Sequence, residues 1–338
     1  MKKRSEGAVQ INRRRFLQIV AVAGGTAALW KLGIFGPARQ MQSARRSLPI
    51  MGTVMNLTVH GPDRDACEEA VNRTIATMQG LESMLSRHMT DSELAQLNRT
   101  GRLENPSPEL LEVLAAAGQL FDKSGGAFDV TILPVLRLYE TADGLPDRKV
   151  ITLTESQVDW RHVTITPQAI RFTRPEMAIS LDGIAKGYIV DQGTVTLRNL
   201  GFNDVYVEAG GDLMVSGLRD GHEPWRIGIR PPRTGQSQAP LTLRVSDRAV
   251  ATSGDYLQAF SPDLRYHHIL DPHTGISPAE LASCTVTAPN VTLADGLATA
   301  IMVLGPDAGR DLIEPMHECE AYMVGKDLTE YATSGFWS

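Results

Sequence analysis

The stretch from residue 204 to residue 290 constrains the fold more than any other part of the chain. It consists of short runs in which apolar and polar residues alternate, separated by Gly and Pro. This two-residue period is typical of half-buried strands, and runs so short favour a mixed or antiparallel sheet. The candidate strands are Val205–Val207, Leu213–Val215, Trp225–Ile229, Leu241–Val245, His267–Leu270 and Ala282–Ala288. The polar segment Pro232–Pro240 predicts a flexible surface loop.

Helical patterns flank these strands. In them apolar residues recur every three or four positions, as they do on one face of a helix. Ser107 also directly precedes Pro108, a pair that favours the start of a helix. The expected helices are Asp63–His88, Pro108–Ser124, Ile184–Leu200 and Leu293–Leu304; further strands are expected over Ser47–His60, over two runs of residues 163–181 that Arg174-Pro175 separates, and over Ala321–Val324. The chain is therefore predicted to be an α+β protein, with mixed or antiparallel sheets and flanking helices.

Charge divides the chain into two parts. Residues 1–40 carry eight basic side chains and one acidic side chain, a net charge of +7, whereas the whole chain has a net charge of −6. The remaining body therefore holds −13. Phosphate contacts require clustered Lys and Arg, so an acidic body argues against nucleic acid as a partner. Any anionic ligand must be met locally, by backbone N–H groups or by a bound cation.

The basic segment has the features of an export signal. Asn12–Gln18 places arginines directly before Phe16 and Leu17, and Ile19–Trp30 contains no charge. This order is typical of a twin-arginine signal, and the apolar run is shorter than the roughly 20 residues of a membrane-spanning helix. We expect residues 1–45 to be a signal with a short linker, and residues 46–338 to be one domain in the periplasm. An uncleaved signal would instead anchor the protein to the membrane.

Asp295 and Thr299 form the first candidate site. They are four residues apart, so on a helix they share one face and present their oxygens in the same direction. Hard oxygen ligands suit Mg²⁺, which takes few protein ligands and leaves room for water and phosphate. The pattern also has an ordinary structural explanation, because Asp often caps a helix and Thr often bonds back to the preceding turn.

The segment Leu181–Tyr188 is a second candidate, because it leads from a strand into a helix and contains Gly183, Lys186 and Gly187. Such a turn presents backbone N–H groups and the positive end of a helix to an anion, with a lysine as mobile countercharge. It lacks the spacing of a Walker loop. Glycines also serve ordinary strand-to-helix turns, so the pattern alone leaves both explanations open.

The histidines and cysteines argue against a zinc site. Three of the eight histidines lie in His267–Gly275, but the adjacent His267 and His268 of an extended segment point to opposite faces. One histidine near a catalytic centre is therefore favoured over a histidine cluster on a metal. Three scattered cysteines are too few for a disulfide framework and allow at most one disulfide. They are Cys67, Cys284 and Cys319.

Taken in order along the chain, the motifs resemble those of the ApbE family, the FAD:protein FMN transferases. The resemblance covers about residues 51–305, essentially the whole body, and rests on eight motifs in the family's order. They are Met51-Gly52-Thr53, Asp91-Ser92-Glu93-Leu94 through Asn98, Gly126–Thr131, Gly183–Tyr188 with Asp191, Gly210-Gly211-Asp212, Ala251–Gly254, His268–Gly275, and Ala294-Asp295 through Thr299.

The resemblance implies a Mg²⁺-dependent enzyme that binds FAD. Such an enzyme splits the pyrophosphate, moves FMN to a Thr or Ser hydroxyl of an acceptor protein through a phosphoester bond, and releases AMP. Phosphoryl transfer requires positioning and charge neutralisation more than covalent help, which suits the candidate residues. The twin-arginine signal and the turn before Lys186 resemble the branch that accompanies nitrous-oxide respiration, whose acceptor is a membrane-bound regulatory flavoprotein.

The resemblance also implies roles for individual residues. Asp295 and Thr299 would hold Mg²⁺ together with the carbonyl of Gly183. His268 would be the base that activates the hydroxyl, or a proton shuttle, and Lys186 would contact phosphate or orient the site. The FAD contacts would be Met51, His88, Ala127, Phe128, Asp129, Ser180, Lys186 and Leu270.

Two positions depart from the family pattern. His88 stands where the family usually has Tyr, and imidazole stacks on a nucleotide more weakly. Ser180-Leu181-Asp182-Gly183 stands where the family usually reads Asp-Leu-Gly-Gly, so Asp182 could compensate for the acid missing at Ser180. Both departures bear on the affinity for FAD.

The candidate residues are also compatible with two other functions. One is a periplasmic FAD pyrophosphatase, in which water replaces the acceptor hydroxyl, and the other is a flavin-binding carrier without turnover. The combination of Asp295, Thr299 and His268 favours catalysis over carriage.

Overall fold

The computed structural model describes residues 41–233 and 241–337. Residues 1–40 of the expected export signal and residues 234–240 of the expected loop lie outside this part. The helices are α1 (Arg64–Leu85), α2 (Glu93–Thr100), α3 (Pro108–Lys123), α4 (Leu133–Thr141), α5 (Arg148–Glu155), α6 (Ala185–Asn199) and α7 (Val291–Ile313), with 3₁₀ turns at Val130–Ile132 and Trp160–His162. The strands are β1 (Gln42–Ile50), β2 (Thr53–Gly61), β3 (Arg102–Glu104), β4 (Val163–Ile165), β5 (Ala169–Phe172), β6 (Asp204–Ala209), β7 (Asp212–Ser216), β8 (Trp225–Ile229), β9 (Leu241–Val245), β10 (Arg248–Gly254), β11 (Leu281–Ala288), β12 (Glu320–Gly325) and β13 (Glu330–Ala332).

An antiparallel sheet in the order β1-β2-β6-β7-β10-β11-β12-β13 forms the centre of the fold. Two of its hairpins have two-residue turns with positive φ: Met51 (52°) with Gly52 (67°), and Gly210 (61°) with Gly211 (104°). Turns of this kind match the twist of a hairpin. Because β2 and β6 are antiparallel, with Met55 opposite Ala209, both turns lie at the same end of the sheet.

The sheet is covered on both faces. Helices α1, α6 and α7 pack on one face, against alternate residues such as Met214 and Ala249. Their neighbours Leu213 and Val250 face the other way and pack against Trp225 of the separate β8–β9 pair. Helix α7 is long and apolar enough to span a membrane, but most of its apolar part is buried in this core. The α+β prediction is confirmed.

Two expected strands outside residues 163–181 are wrong. Residues 47–60 form the β1–β2 hairpin rather than one strand, because Met51 and Gly52 take the left-handed conformation. Residues 267–270 form no strand, since only an isolated bridge joins Ala259 to His267. Strands β3, β10 and β13 and helices α2, α4 and α5 were not expected. Strand β1 begins at Gln42, before residue 46, where the domain was expected to begin.

Residues 163–181 also differ from expectation. Strands β4 and β5 are separated at residues 166–168, not at Arg174-Pro175, and the apolar run after Pro175 is not a strand. Asn98 holds that run instead: its side-chain amide donates to the Ile179 carbonyl (2.8 Å) and its Oδ1 accepts from the Ile179 N–H (2.7 Å). All three cysteines are buried and free, so they form no disulfide.

Candidate active site

The two hairpin turns border a cavity of about 600 Å³. The segment after α1, residues 127–132, the turn before α6, the end of β10, residues 268–272 and the first turns of α7 line much of the rest of its wall. The wall contains two permanently cationic side chains, Arg87 and Lys186, and both are paired with carboxylates. Its six carboxylates belong to Glu82, Asp129, Glu140, Asp182, Asp212 and Asp295. In the part of this wall that the structure describes, every lysine and arginine is therefore already paired with a carboxylate, so none is free to bind an entering anion.

Polar contacts at the start of α7 fix the helix that carries Asp295 and Thr299. Asn290 caps it, because its Oδ1 accepts from the Leu293 N–H at 2.9 Å. Asp191 of α6 accepts from the N–H groups of Val291 and Thr292, each at 2.8 Å. Asp191 belongs to one of the sequence motifs, and its position explains how that motif supports the site.

The Asp295 carboxylate is deeply buried, with 5% of the residue exposed. Its Oδ2 accepts from the Gly187 N–H at 3.1 Å. Burial and then the nearby Asp212 carboxylate raise the pKa of Asp295 to about 8, against the lowering effect of Lys186. A bound cation would add countercharge to this buried carboxylate, beyond that supplied by Lys186.

Thr299 lies between Ser253 and Gly183. Its Oγ1 is 3.3 Å from the Ser253 Oγ. A Cβ built on Gly183 would lie 3.1 Å from the same Oγ1, so the glycine backbone approaches this hydroxyl more closely than a residue with a side chain could without a shift. Carboxylate, hydroxyl and backbone carbonyl are hard oxygen donors, and a set this small fits Mg²⁺, which keeps water and phosphate as further ligands.

The described residues hold no cluster of three or more His, Cys, Asp or Glu side chains that could bind a metal ion. The donor set at Asp295 contains one carboxylate and no His or Cys, whereas structural zinc sites use Cys and His ligands.

Lys186 is held within the site rather than left mobile. Its Nζ lies 2.7 Å from Asp212 Oδ2, and Asp212 is almost fully buried. Burial alone would lower the pKa of Lys186, but the carboxylates of Asp212 and Asp295 outweigh it and leave the pKa above its usual value. The lysine therefore stays charged and orients Asp212.

The two adjacent histidines face different surroundings. His267 is fully buried, with its Nε2 3.3 Å from the Pro278 carbonyl, whereas His268 lines the cavity. The Nδ1 of His268 lies 3.2 Å from the Gln258 carbonyl, which can only accept, so Nδ1 carries the proton. Burial lowers the pKa of His268, which favours the neutral ring. The ring is therefore held in the tautomer whose Nε2 can accept a proton.

The residues that the resemblance assigns to FAD all line the same cavity: Met51, His88, Ala127, Phe128, Asp129, Ser180, Lys186 and Leu270. The Asp129 carboxylate is already engaged. Its Oδ1 accepts from the N–H and the hydroxyl of Thr131 (2.8 and 2.6 Å), and its Oδ2 accepts from the Trp160 N–H (3.0 Å). Asp129 thus shapes the wall, and its neighbours Ala127 and Phe128 supply apolar surface.

The altered turn before α6 has its own contacts. Ser180 Oγ accepts from the Asp182 N–H at 3.2 Å, and the Asp182 carboxylate lies 2.7 Å from Arg87 Nε. Asp182 therefore pairs with an arginine at the wall of the cavity.

Four contributors were not expected from the sequence. Ser253 belongs to a motif that had no assigned role, whereas Arg87 and Glu140 belong to none of the eight motifs. The Glu82 carboxylate supports the first hairpin turn, since its Oε1 accepts from the Met51 N–H at 2.8 Å. Glu82 is one of several polar residues in α1, so the sequence did not indicate its contact with Met51.

Comparison with known proteins identifies the family. The ApbE family model matches residues 51–323. An "FAD:protein FMN transferase" of Vibrio cholerae is 31% identical, with 89% of this chain and 94% of that protein covered, and one of Treponema pallidum is 30% identical, with 90% and 94% covered.

Solved structures agree. The flavin transferase ApbE of Vibrio cholerae superimposes with a TM-score of 0.80 at 30% identity, over 88% of this chain and 99% of that one. The apo form of the Pseudomonas stutzeri flavinyl transferase ApbE superimposes with a TM-score of 0.79 at 29% identity, over 88% of this chain and 96% of that one. The chain belongs to the ApbE family.

Proposed function

We propose that this chain is an FAD:protein FMN transferase that depends on Mg²⁺ and moves FMN from FAD to a Ser or Thr hydroxyl of an acceptor protein. The observation that carries the proposal is the presence, in one cavity, of a histidine held as a neutral base and a hard-oxygen donor set. The names of its relatives support the same activity.

His268 is proposed to act on the acceptor. Its Nε2 takes the proton of the acceptor hydroxyl, and the hydroxyl oxygen forms a bond to the phosphorus of the FMN moiety. The bond from that phosphorus to the bridging oxygen breaks, and AMP leaves with the electron pair. The Gln258 carbonyl keeps the proton on Nδ1 and so keeps Nε2 available.

Asp295, Thr299 and the Gly183 carbonyl are proposed to hold Mg²⁺. When bound, the metal supplies charge neutralisation for the pyrophosphate and the departing phosphate. Lys186 keeps Asp212 in place beside Asp295, and the apolar wall at Ala127 and Phe128 accommodates the flavin nucleotide.

The test combines the purified protein, FAD, Mg²⁺ and an acceptor domain with a Ser/Thr flavinylation motif. We expect the acceptor mass to rise by one FMN and AMP to appear in equal amount. An acceptor with Ala at the modified position should stay unlabelled, and His268→Gln should lower the rate by about 10²-fold or more. AMP with free FMN and no labelling would indicate a pyrophosphatase instead, and FAD binding without AMP would indicate a carrier.

We also propose that residues 1–45 export the protein to the periplasm and that its acceptor is a membrane-bound redox protein there. The support is the arginine-rich segment before an uncharged run. Replacing Arg13 and Arg14 with Lys should leave the protein in the cytoplasm on cell fractionation. An unchanged distribution would contradict the proposed route.

A further inference from the structure

Arg87 joins three elements at the wall of the cavity. Its guanidinium binds the Glu140 carboxylate of α4 at 2.5 and 3.1 Å, and its Nε lies 2.7 Å from Asp182 Oδ2. The Arg87 side chain is only 11% exposed, against 22% for Glu140 and 46% for Asp182. All three residues line the cavity. A nearly buried arginine thus holds two carboxylates that would otherwise face the cavity unpaired.

These ion pairs also restrain the turn that leads into α6. Asp182 precedes Gly183, whose backbone lies against Thr299. The Asp182 N–H donates to Ser180 Oγ, and its carboxylate is bound by Arg87. The turn is therefore fixed on both sides, by a hydroxyl at one position and by a guanidinium at the other.

The ion pairs of Arg87 also set the charge of the cavity wall. In the proposed function, which this inference rests on, the cavity takes FAD, whose pyrophosphate is dianionic. Removing the guanidinium would leave Glu140 and Asp182 uncompensated in a wall that already carries four other carboxylates. Like charges close to a poorly solvated site repel strongly.

We infer that Arg87 is a positioning residue that sets the affinity for FAD, by neutralising Asp182 and Glu140 and by holding the turn that carries Gly183. It acts on the nucleotide through these carboxylates. Its loss should weaken FAD binding while leaving His268 and its base function intact.

The test measures FAD affinity by quenching of flavin fluorescence, together with KM and kcat for transfer. Arg87→Gln should raise the Kd and KM for FAD about tenfold and lower kcat by a smaller factor. The double variant Arg87→Gln/Asp182→Asn should recover much of the lost affinity, because it removes one of the two uncompensated charges. Arg198→Gln is the matched control, since Arg198 pairs with Asp247 and lies outside the cavity wall.

Unchanged FAD affinity in Arg87→Gln would overturn the inference. The inference would also be overturned if Arg87→Gln weakened FAD binding and the added Asp182→Asn did not restore it. A variant that merely folds poorly is not expected to regain affinity when a negative charge is removed. Acceptor labelling by the unsubstituted protein tests the proposed function separately: binding of FAD without labelling would contradict that function and leave the comparison of affinities valid.

Discussion

Gly183→Ala tests the geometry of the proposed metal site most directly. The added methyl would lie 3.1 Å from Thr299 Oγ1 and 3.4 Å from its Cγ2, so the threonine must move by a few tenths of an ångström. We expect a shift of this size to cost about 1 kcal/mol of folding free energy. A misplacement of about 1 Å lowers catalysis about 100-fold, so this smaller shift should lower transfer about tenfold and raise the Mg²⁺ requirement.

Gly187→Ala adds the same methyl to the same segment and serves as a comparison variant, for which we expect a larger loss of stability; its methyl would also lie 3.0 Å from the Asp295 Cβ. There the methyl would lie 2.6 Å from the Val291 carbonyl oxygen and 2.8 Å from its carbon, so α6 and α7 must separate. We expect a loss of about 3 kcal/mol in urea unfolding. The reasoning is refuted if Gly183→Ala keeps the wild-type Mg²⁺ affinity in calorimetric titration, or if it loses as much stability as Gly187→Ala.

Two further predictions concern the supporting residues. Ser253→Ala should weaken Mg²⁺ binding about tenfold without lowering the melting temperature greatly, because the Ser253 hydroxyl orients Thr299; an unchanged calorimetric affinity would contradict this. Burial lowers the pKa of His267 to about 4. In the unfolded chain His267 takes up a proton near pH 6.5, whereas in the folded protein it does so only near pH 4. The free energy of unfolding is therefore highest above pH 6.5 and falls by about 3 kcal/mol as the pH drops from 6.5 to 4. Urea unfolding of His267→Asn beside the wild type should show a smaller pH dependence, and identical pH profiles would exclude this role.

Features that depend on neighbouring residues were predictable from the sequence. Ser107 caps α3 as expected, with its Oγ accepting from the Leu110 N–H at 3.2 Å, and the strand Trp225–Ile229 has the expected bounds. The i, i+4 spacing of Asp295 and Thr299 placed both on one helix face toward the cavity. Local periodicity and capping decide these features, so the sequence contains the needed information.

Features that depend on distant partners were not predictable. Residues 267–270 look like a strand, but His267 N–H donates to Ser277 Oγ (2.8 Å) and His268 N–H to the Gln258 carbonyl (3.0 Å), so the run is held as a loop. Arg87 and Asp182 are 95 residues apart in the chain. Their pairing follows from tertiary packing, and nothing in either local sequence indicates it.

The charge of the cavity finally indicates how FAD and Mg²⁺ should bind relative to one another. Lys186 is committed to Asp212, and Arg87 to Glu140 and Asp182, so the described wall offers a dianionic pyrophosphate no uncommitted lysine or arginine. In the proposed function the neutralising charge comes with the metal, so each ligand should strengthen the binding of the other by the same factor. We expect the FAD Kd to fall at least about tenfold when Mg²⁺ is saturating, and the Mg²⁺ Kd to fall equally when FAD is saturating. Asp295→Asn should remove most of this coupling. Independent binding of the two ligands to the unsubstituted protein would show that the cavity neutralises the pyrophosphate by itself, contrary to the pairing seen in its wall.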